Sequence, residues 1–366
     1  MALEEKEYSS FYVKEVKGRY VHYDHINSFL KELPNSFKIE LIGTSVRGEA
    51  IKSITYGHGP NRILMWSQMH GNESTTTKAV LDLLRCLELN DELQKSCTLK
   101  IIPILNADGA RDYTRVNANK VDLNRDAQDL SQPESVILKE QFNIFKPDFC
   151  FNLHDQRTIF NVGTTNKPAT VSFLAPAFDA DRNNSPSRKR SMQLIAAMNE
   201  TLQDVIPGQI GRYDDGFNAN CVGDAFQMKE VPTILFEAGH YPGDYSRELT
   251  RKYIFKALYK AITTIVNDVL DKYTVEDYEH IPENGKQFVD VIIHNHPSEE
   301  SKGADESKGI AIQYKEVLEN NSIVFKPELH KFDVRPNEIF GHKTIDFTKD
   351  NDLNWLKEQE ILKLLN

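Results

Sequence analysis

With 366 residues, 40% of them hydrophobic and 27% charged, the chain has ample apolar material for a buried sheet and is too long for one average core. A formal net charge of −10 argues against nucleic acid and membrane as partners, because a basic field gathers both. No apolar run is long enough to span a bilayer, and the acidic start MALEEKEYSS lacks the apolar stretch of a secretory signal. Cys86, Cys97, Cys150 and Cys221 show no CxxC spacing, and Cys150 lies in the apolar run FKPDFCFNLH, so free thiols and a cytoplasmic location are expected.

The first predicted element is a helix in YDHINSFLKELPNSF, N-capped by Asp24, with Ile26, Phe29, Leu30 and Leu33 at helical spacing and Pro34 as its stop. FKIELIGTSVRGEAIKSITYG reads as strands around a glycine-containing turn. RILMWSQM is a nearly continuous apolar strand, the pattern of a sheet covered on both faces. Val80, Leu83, Leu84 and Leu87 follow at i, i+3, i+4 and i+7, which predicts a helix. TLKIIPIL, FKPDFCFNL and VPTILFE are three further buried strands, and SRKR at 187–190 reads as a solvated loop or helix start. RELTRKYIFKALYKAITTIVNDVLDKY is a long amphipathic helix with Leu258, Ile262, Ile265 and Val269 on one face. Buried strands alternating with helices predict an α/β domain over residues 1–275, with a mixed, largely parallel sheet sandwiched by helices.

Past residue 275 the texture changes. KQFVDVIIHN, GIAIQYKEV, NSIVFKP and FGHKTIDF are short strand candidates, PSEESKGADESKG at 297–309 reads as a mobile loop, and DLNWLKEQEILKLL closes the chain as an amphipathic helix. Residues 276–366 are therefore expected to form a small β-rich C-terminal domain. The chain has no internal repeat and no Rossmann or P-loop glycine pattern.

Polar residues gather where the strands of the large domain stop. His70 and Glu73 follow RILMWSQM; Asn106, Asp108, Arg115, Asn124 and Arg125 follow TLKIIPIL; His154 ends FKPDFCFNL; Glu237 ends VPTILF. In an open α/β sheet, ligands bind in the crevice outside the carboxyl ends of the strands. A catalytic zinc takes three His or Glu ligands and keeps one position open for water. His70, Glu73 and His154 would supply that set. A carboxylate off the metal must then take a proton, and Glu237 is the candidate. A guanidinium can stabilise the oxyanion of an attacked carbonyl or pair with a substrate carboxylate, and Arg115 and Arg125 are available for the two tasks.

These pieces resemble the zinc carboxypeptidases. HGNE looks like their HxxE zinc motif, ILNADGARDYTR like their NPDG…R stretch, and VDLNRD like their Asn-Arg pair. NLHD resembles the strand ending in the third ligand, TILFEAG the strand carrying the catalytic Glu, and LIGTSVRGEAI the upstream hairpin. HxxE alone is frequent by chance; the ordered set over roughly residues 20–270 carries the likeness. The resemblance implies one Zn2+ per chain on His70, Glu73 and His154, with Glu237 as general base and Arg115 polarising the scissile carbonyl. It implies that Asn124 and Arg125 hold the terminal carboxylate of the substrate, while Tyr213, in GRYDDGFNANCVGDAF, would close over it. Residues 221–224 fall near the family's specificity pocket, with no charge that can be placed at its base.

Departures from the family pattern point to substrate differences. Asp155 stands where a small polar residue is usual, which alters the first subsite or adds a partner behind a metal ligand. Arg111 competes with Arg115 for the oxyanion role. Asp122 and Asp126 read as orienting partners for Arg125, and His240 as a partner near Glu237. HNHP at 294–297 lacks a third ligand and His58 reads as a turn residue, so neither is taken as functional. A short segment between Glu73 and His154 and the small C-terminal domain look similar to amidase and acylase branches. The leading expectation is a cytoplasmic zinc metallocarboxypeptidase acting on peptides with a free carboxylate. The alternatives are a deacylase or amidase of small N-acyl amino acids or cell-wall-derived peptides, and a catalytically inert binding protein.

Overall fold

The structure is a computed structural model that describes residues 5–297, 309–335 and 338–365. Its strands, in chain order, are β1 (Phe37–Thr44), β2 (Ala50–Gly57), β3 (Asn61–Ser67), β4 (Cys97–Ile102), β5 (Phe149–Asp155), β6 (Asn161–Val162) and β7 (Val171–Leu174). They continue with β8 (Ile210–Arg212), β9 (Thr233–Ala238), β10 (Asn284–Gly285), β11 (Phe288–His294), β12 (Gly309–Glu319), β13 (Ser322–Val334) and β14 (Phe340–Asp346). Eight of them form one sheet in the order β1-β2-β4-β3-β5-β9-β7-β8. The centre, β4-β3-β5-β9, is parallel, while β1, β2 and β7 enter by antiparallel pairings. The sheet is thus mixed, as the alternating pattern predicts.

Side-chain alternation along β3 shows why this sequence is buried on both faces. Ile63 and Met65 join one apolar core with the helices Thr75–Leu87, Pro186–Gln203 and Glu248–Val266. Leu64 and Trp66 point the other way, into a second core with the helices Pro133–Phe145 and Val222–Gln227. Two cores on opposite faces make the sandwich and leave the carboxyl ends of the parallel strands to line a crevice.

Some local expectations shift. The first helix of the reading runs Tyr23–Glu32 and is capped by His22, whose ring accepts from the Asp24 N–H; Asp24 sits in its first turn. The long C-terminal helix of the large domain stops at Val266, because Asp268 takes a left-handed backbone (φ 51°) that breaks the ladder, and Val269 begins a separate turn. SRKR falls in the first turns of the helix Pro186–Gln203.

The four C-terminal strands form a separate sheet, β13-β12-β11-β14, with its own apolar cluster of Val291, Ile293, Ile310, Ile312, Ile345 and the closing helix residue Leu356. β12 and β13 are longer than the sequence suggests. Asn320 and Asn321 both take positive φ and turn the chain as a tight hairpin. β13 continues past Pro327, which is tolerated because β13 is an edge strand. The stretch read as a mobile loop lies, over 298–308, outside the described residues. The small sheet is tied to the large one. β10 pairs with β6, the Asp290 carboxylate accepts from Tyr245 Oη (2.8 Å), and Glu316 pairs with buried Arg19 (3.0 Å). No helix among the described residues is long and apolar enough to cross a membrane. All four cysteines are free, and three of them are buried.

Candidate metal centre

HGNE folds into a tight turn between β3 and the helix Thr75–Leu87, closed by a hydrogen bond from the Glu73 N–H to the His70 carbonyl (3.1 Å). Gly71 is required there for space: a Cβ would lie 1.9 Å from the Gly109 backbone carbon. Gly109 belongs to the NADG stretch, so the glycines of two motifs are packed backbone to backbone. That contact brings the β3 and β4 exits together and turns His70 and Glu73 inward.

His154 arrives from the adjacent parallel strand, at the end of β5. Its Nδ1 lies 2.8 Å from Glu73 Oε2 and 3.1 Å from His70 Nδ1, and His70 Nδ1 lies 2.8 Å from Glu73 Oε1. All three side chains are buried, and among the described residues this is the one His/Cys/Asp/Glu group whose donor atoms converge tightly enough, within 4.8 Å, to hold a metal ion. Two ring nitrogens facing each other at 3.1 Å are compatible only when one carries a proton. A cation among the three groups would instead take every lone pair. The donor set, two imidazoles and one carboxylate, is that of a catalytic zinc site.

The surrounding groups fix this geometry. The Asp122 carboxylate accepts from His70 Nε2 (3.0 Å), which leaves Nδ1 as the unprotonated, metal-facing atom. Burial opposes a charged His70 ring, but the Glu73 and Asp122 carboxylates outweigh it and raise its pKa. Asp122 also accepts from Arg115 Nε (3.0 Å) and from the Asn124 N–H (2.9 Å). Sequence reasoning gave Asp122 to Arg125; it belongs to His70 and Arg115. Asp126 is a loop clamp instead, accepting from Ser131 Oγ and from the Ser131 and Gln132 N–H groups. Asp155 caps the helix after Glu73, taking the N–H groups of Thr75 (3.0 Å) and Thr76 (3.3 Å), while its own N–H donates to Glu73 Oε2 (3.2 Å). The departure at Asp155 therefore supports the ligand turn.

Glu237 ends β9 in direct register with His154 on β5. It is buried, and burial together with the nearby Glu73 and Asp155 charges holds its carboxyl well above the usual range. A 440 Å3 cavity unites His70, Glu73, His154 and Glu237 with Arg115, Asn124, Arg125 and Tyr213. Arg111 is not among its lining; it is taken up by Glu49 (2.9 Å) and Asp24 (2.9 Å), so of the two competitors for the oxyanion role only Arg115 reaches the cavity. Among the described residues, Arg125 bonds only to neutral acceptors, the Asn124 carbonyl (2.7 Å) and Cys221 Sγ (3.0 Å). The Asn124 side-chain oxygen accepts from the Val222 N–H (3.0 Å). Tyr213 packs on Phe160, with ring centroids 5.4 Å apart. His240 is not in this cavity lining; its ring packs at a tilt against His342 and Tyr245. Asp224, unassigned in the sequence reading, lines the cavity and is pushed up to about 6 by burial, so the pocket does hold an acidic group.

The family model for zinc carboxypeptidase, Peptidase_M14, matches residues 22–218. The fold is similar to a metallo-carboxypeptidase from Burkholderia cenocepacia (16% identity, TM-score 0.54, 67% of this chain and 69% of that one). A metallo-carboxypeptidase from Pseudomonas aeruginosa, solved with (2-guanidinoethylmercapto)succinic acid, gives 17%, 0.55, 68% and 69%. Carboxypeptidase A from Helicoverpa armigera gives 14%, 0.51, 69% and 74%. At such identities these likenesses show the fold, while the family match extends over more than half of the residues. The chain belongs to the zinc carboxypeptidase family and is a metallocarboxypeptidase-type enzyme.

Proposed function

We propose that this enzyme hydrolyses the amide bond next to a free C-terminal carboxylate, using one Zn2+ held by His70, Glu73 and His154 and Glu237 as general base. The observation that carries the reading is the convergence of three buried donors beside a fourth, protonatable carboxylate in one cavity. When bound, zinc supplies a Lewis acid that polarises the scissile carbonyl and acidifies water.

The chain's own residues do the rest. Glu237 takes the proton of the attacking water as the C–O bond forms, and returns it to the amine nitrogen as the C–N bond breaks. Arg115, steered by Asp122, faces the developing oxyanion. Arg125 has no carboxylate of its own among the described residues, which leaves its guanidinium free for the carboxylate of the substrate, with Asn124 beside it. Tyr213 covers the bound terminal residue. Residues 1–275 form the catalytic unit and 276–366 a separate β-rich unit, a division supported by the second sheet's own apolar cluster. Four free cysteines fit a cytoplasmic setting.

Paired peptides with free and amidated C-termini test the anchor. Loss of a charge-assisted pair lowers kcat/KM by about 100-fold on the blocked peptide. Equal rates would remove Asn124 and Arg125 from their role. A second measurement tests the support of His70: Asp122→Asn weakens zinc affinity by about 10- to 100-fold in chelator competition. Affinity equal to the parent would mean that Asp122 serves Arg115 alone. A second reading, deacylation of N-acyl amino acids or cell-wall-derived peptides, is favoured by one feature: the C-terminal sheet walls part of the cleft, through Tyr314, Glu316 and Phe325.

A further inference from the structure

A second cavity of 440 Å3 adjoins the first, and the two share Glu73, Arg115, Asp155, Gln156 and Arg157. Its far wall comes from β12 and β13 of the C-terminal sheet, including Tyr314, Lys315, Glu316 and Phe325. Arg125, Asn124 and Tyr213 line the first cavity alone. A substrate with its carboxylate at Arg125 and its scissile carbonyl at the His70–Glu73–His154 cluster must run its acyl part the other way, toward this second space.

The charges lining the second cavity are almost all matched. Arg19 pairs with Glu316 (3.0 Å), Arg247 with Asp155 (3.7 Å), Arg115 with Asp122 (3.0 Å) and Lys315 with Glu328 (3.5 Å). The Asp290 carboxylate takes the Tyr245 hydroxyl and the Tyr314 N–H. Arg157 is the exception: among the described residues no acidic side chain pairs with it. Lys286, another cation without an acidic partner among the described residues, lines the first cavity but not the second.

The backbone on both sides of Arg157 is held. The Gln156 N–H donates to the Ala238 carbonyl (2.9 Å), and the Gln156 carbonyl accepts from Arg247 (2.6 Å). Thr158 Oγ1 accepts from Gln313 (2.9 Å), and the Thr158 carbonyl from His342 (2.7 Å). Gln313 and His342 both belong to the C-terminal sheet, so that sheet fixes the segment presenting the guanidinium. Arg157 itself is exposed; a cation on a held segment, with no acidic partner among the described residues and at the junction of the two cavities, is suited to bind an anion brought by a ligand.

We infer that Arg157 is an acyl-side anion subsite, and that the preferred substrate is a short peptide or N-acyl amino acid with a second carboxylate on the acyl side of the cleaved bond. The inference rests on the proposed orientation of the substrate between Arg125 and the metal cluster. N-acetyl dipeptides carrying Glu, Gln or Lys before a common terminal residue test it. The wild-type enzyme is expected to favour Glu over Gln by about 10-fold in kcat/KM, a charge-assisted contact discounted for partial exposure, and to disfavour Lys. Arg157→Gln brings the Glu/Gln ratio to about one, and Arg157→Lys restores part of it. A wild-type ratio near one, or a ratio unmoved by Arg157→Gln, overturns the subsite. If no peptide of the set is cleaved, the hydrolase reading fails separately. The subsite is then judged by calorimetric titration with N-acetylglutamate and N-acetylglutamine, where equal affinities overturn it.

Discussion

Glu237→Gln lowers kcat by about 10^3- to 10^4-fold while leaving zinc content and substrate affinity close to wild type, the size expected for loss of a general base. The substitution is nearly isosteric, so β9 and its pairing with β5 are kept. What disappears is the ability to accept a proton. The position makes the effect specific. Glu237 stands in register with His154, at the end of a buried parallel strand, with its carboxyl in the same cavity as the three donors. Its affinity for protons is raised by burial and by two neighbouring carboxylates, which suits a group that must take up a proton and release it again. Single-turnover kinetics with metal analysis of both proteins decide the matter. Turnover within about 10-fold of wild type would assign the proton transfer to another group.

Six of the eight strands of the large sheet were legible in the sequence, whereas the short β7 and β8 at its edge were not. Runs such as RILMWSQM and FKPDFCFNL are predominantly apolar, without the strict polar alternation of a half-exposed strand, and that pattern belongs to strands covered on both faces. The grouping of the candidate site residues was legible for a related reason: predominantly apolar strands make the polar residues at their ends conspicuous. His70, Glu73, Arg115, Asn124, Arg125, His154, Tyr213 and Glu237 all line one cavity in the fold. Chain order and strand ends were enough to group them, although no residue alone would have been.

What sequence missed are relations that need three dimensions. Asp122 lies two residues from Asn124, so proximity in the chain suggested Arg125 as its partner; in space it faces His70 and Arg115. For Asp155 the sequence left two readings open, a changed subsite or a partner behind a metal ligand; its contacts favour the second, because its N–H donates to Glu73 and its side chain caps the helix after Glu73. The Gly71–Gly109 contact joins two motifs that nothing in a linear reading connects. The C-terminal unit gave strand candidates but no role. Glu316 reaches Arg19 and Tyr113, and Gln313 and His342 hold Thr158, contacts that only tertiary packing creates. The wall this sheet adds to the cleft is the feature of the molecule that bears most directly on substrate size.

Removing the metal is expected to affect stability as well as rate. Without a cation, two imidazoles and a carboxylate are packed together in a buried site where the His154 ring cannot be charged without cost. Burial lowers the pKa of His154 despite the adjacent Glu73, and its Nε2 is buried without a hydrogen-bond partner among the described residues. A bound ion satisfies the converging lone pairs only in the folded state, so it stabilises that state by mass action, about 4 kcal/mol at a free zinc concentration of 1,000 Kd. For a chain of 366 residues that corresponds to a rise in Tm of roughly 5 °C. Chelation should therefore lower Tm by this amount and activity by more than about 10^3-fold, both reversible on adding zinc. His154→Ala separates the metal effect from general damage. It opens one ligand position while Asp122 still orients His70, so the variant folds but its Tm no longer responds to zinc. Calorimetry of wild type and His154→Ala, each with chelator and with added zinc, reads the difference directly. A zinc-dependent rise of equal size in both proteins would move the metal away from His154 and break the site as drawn.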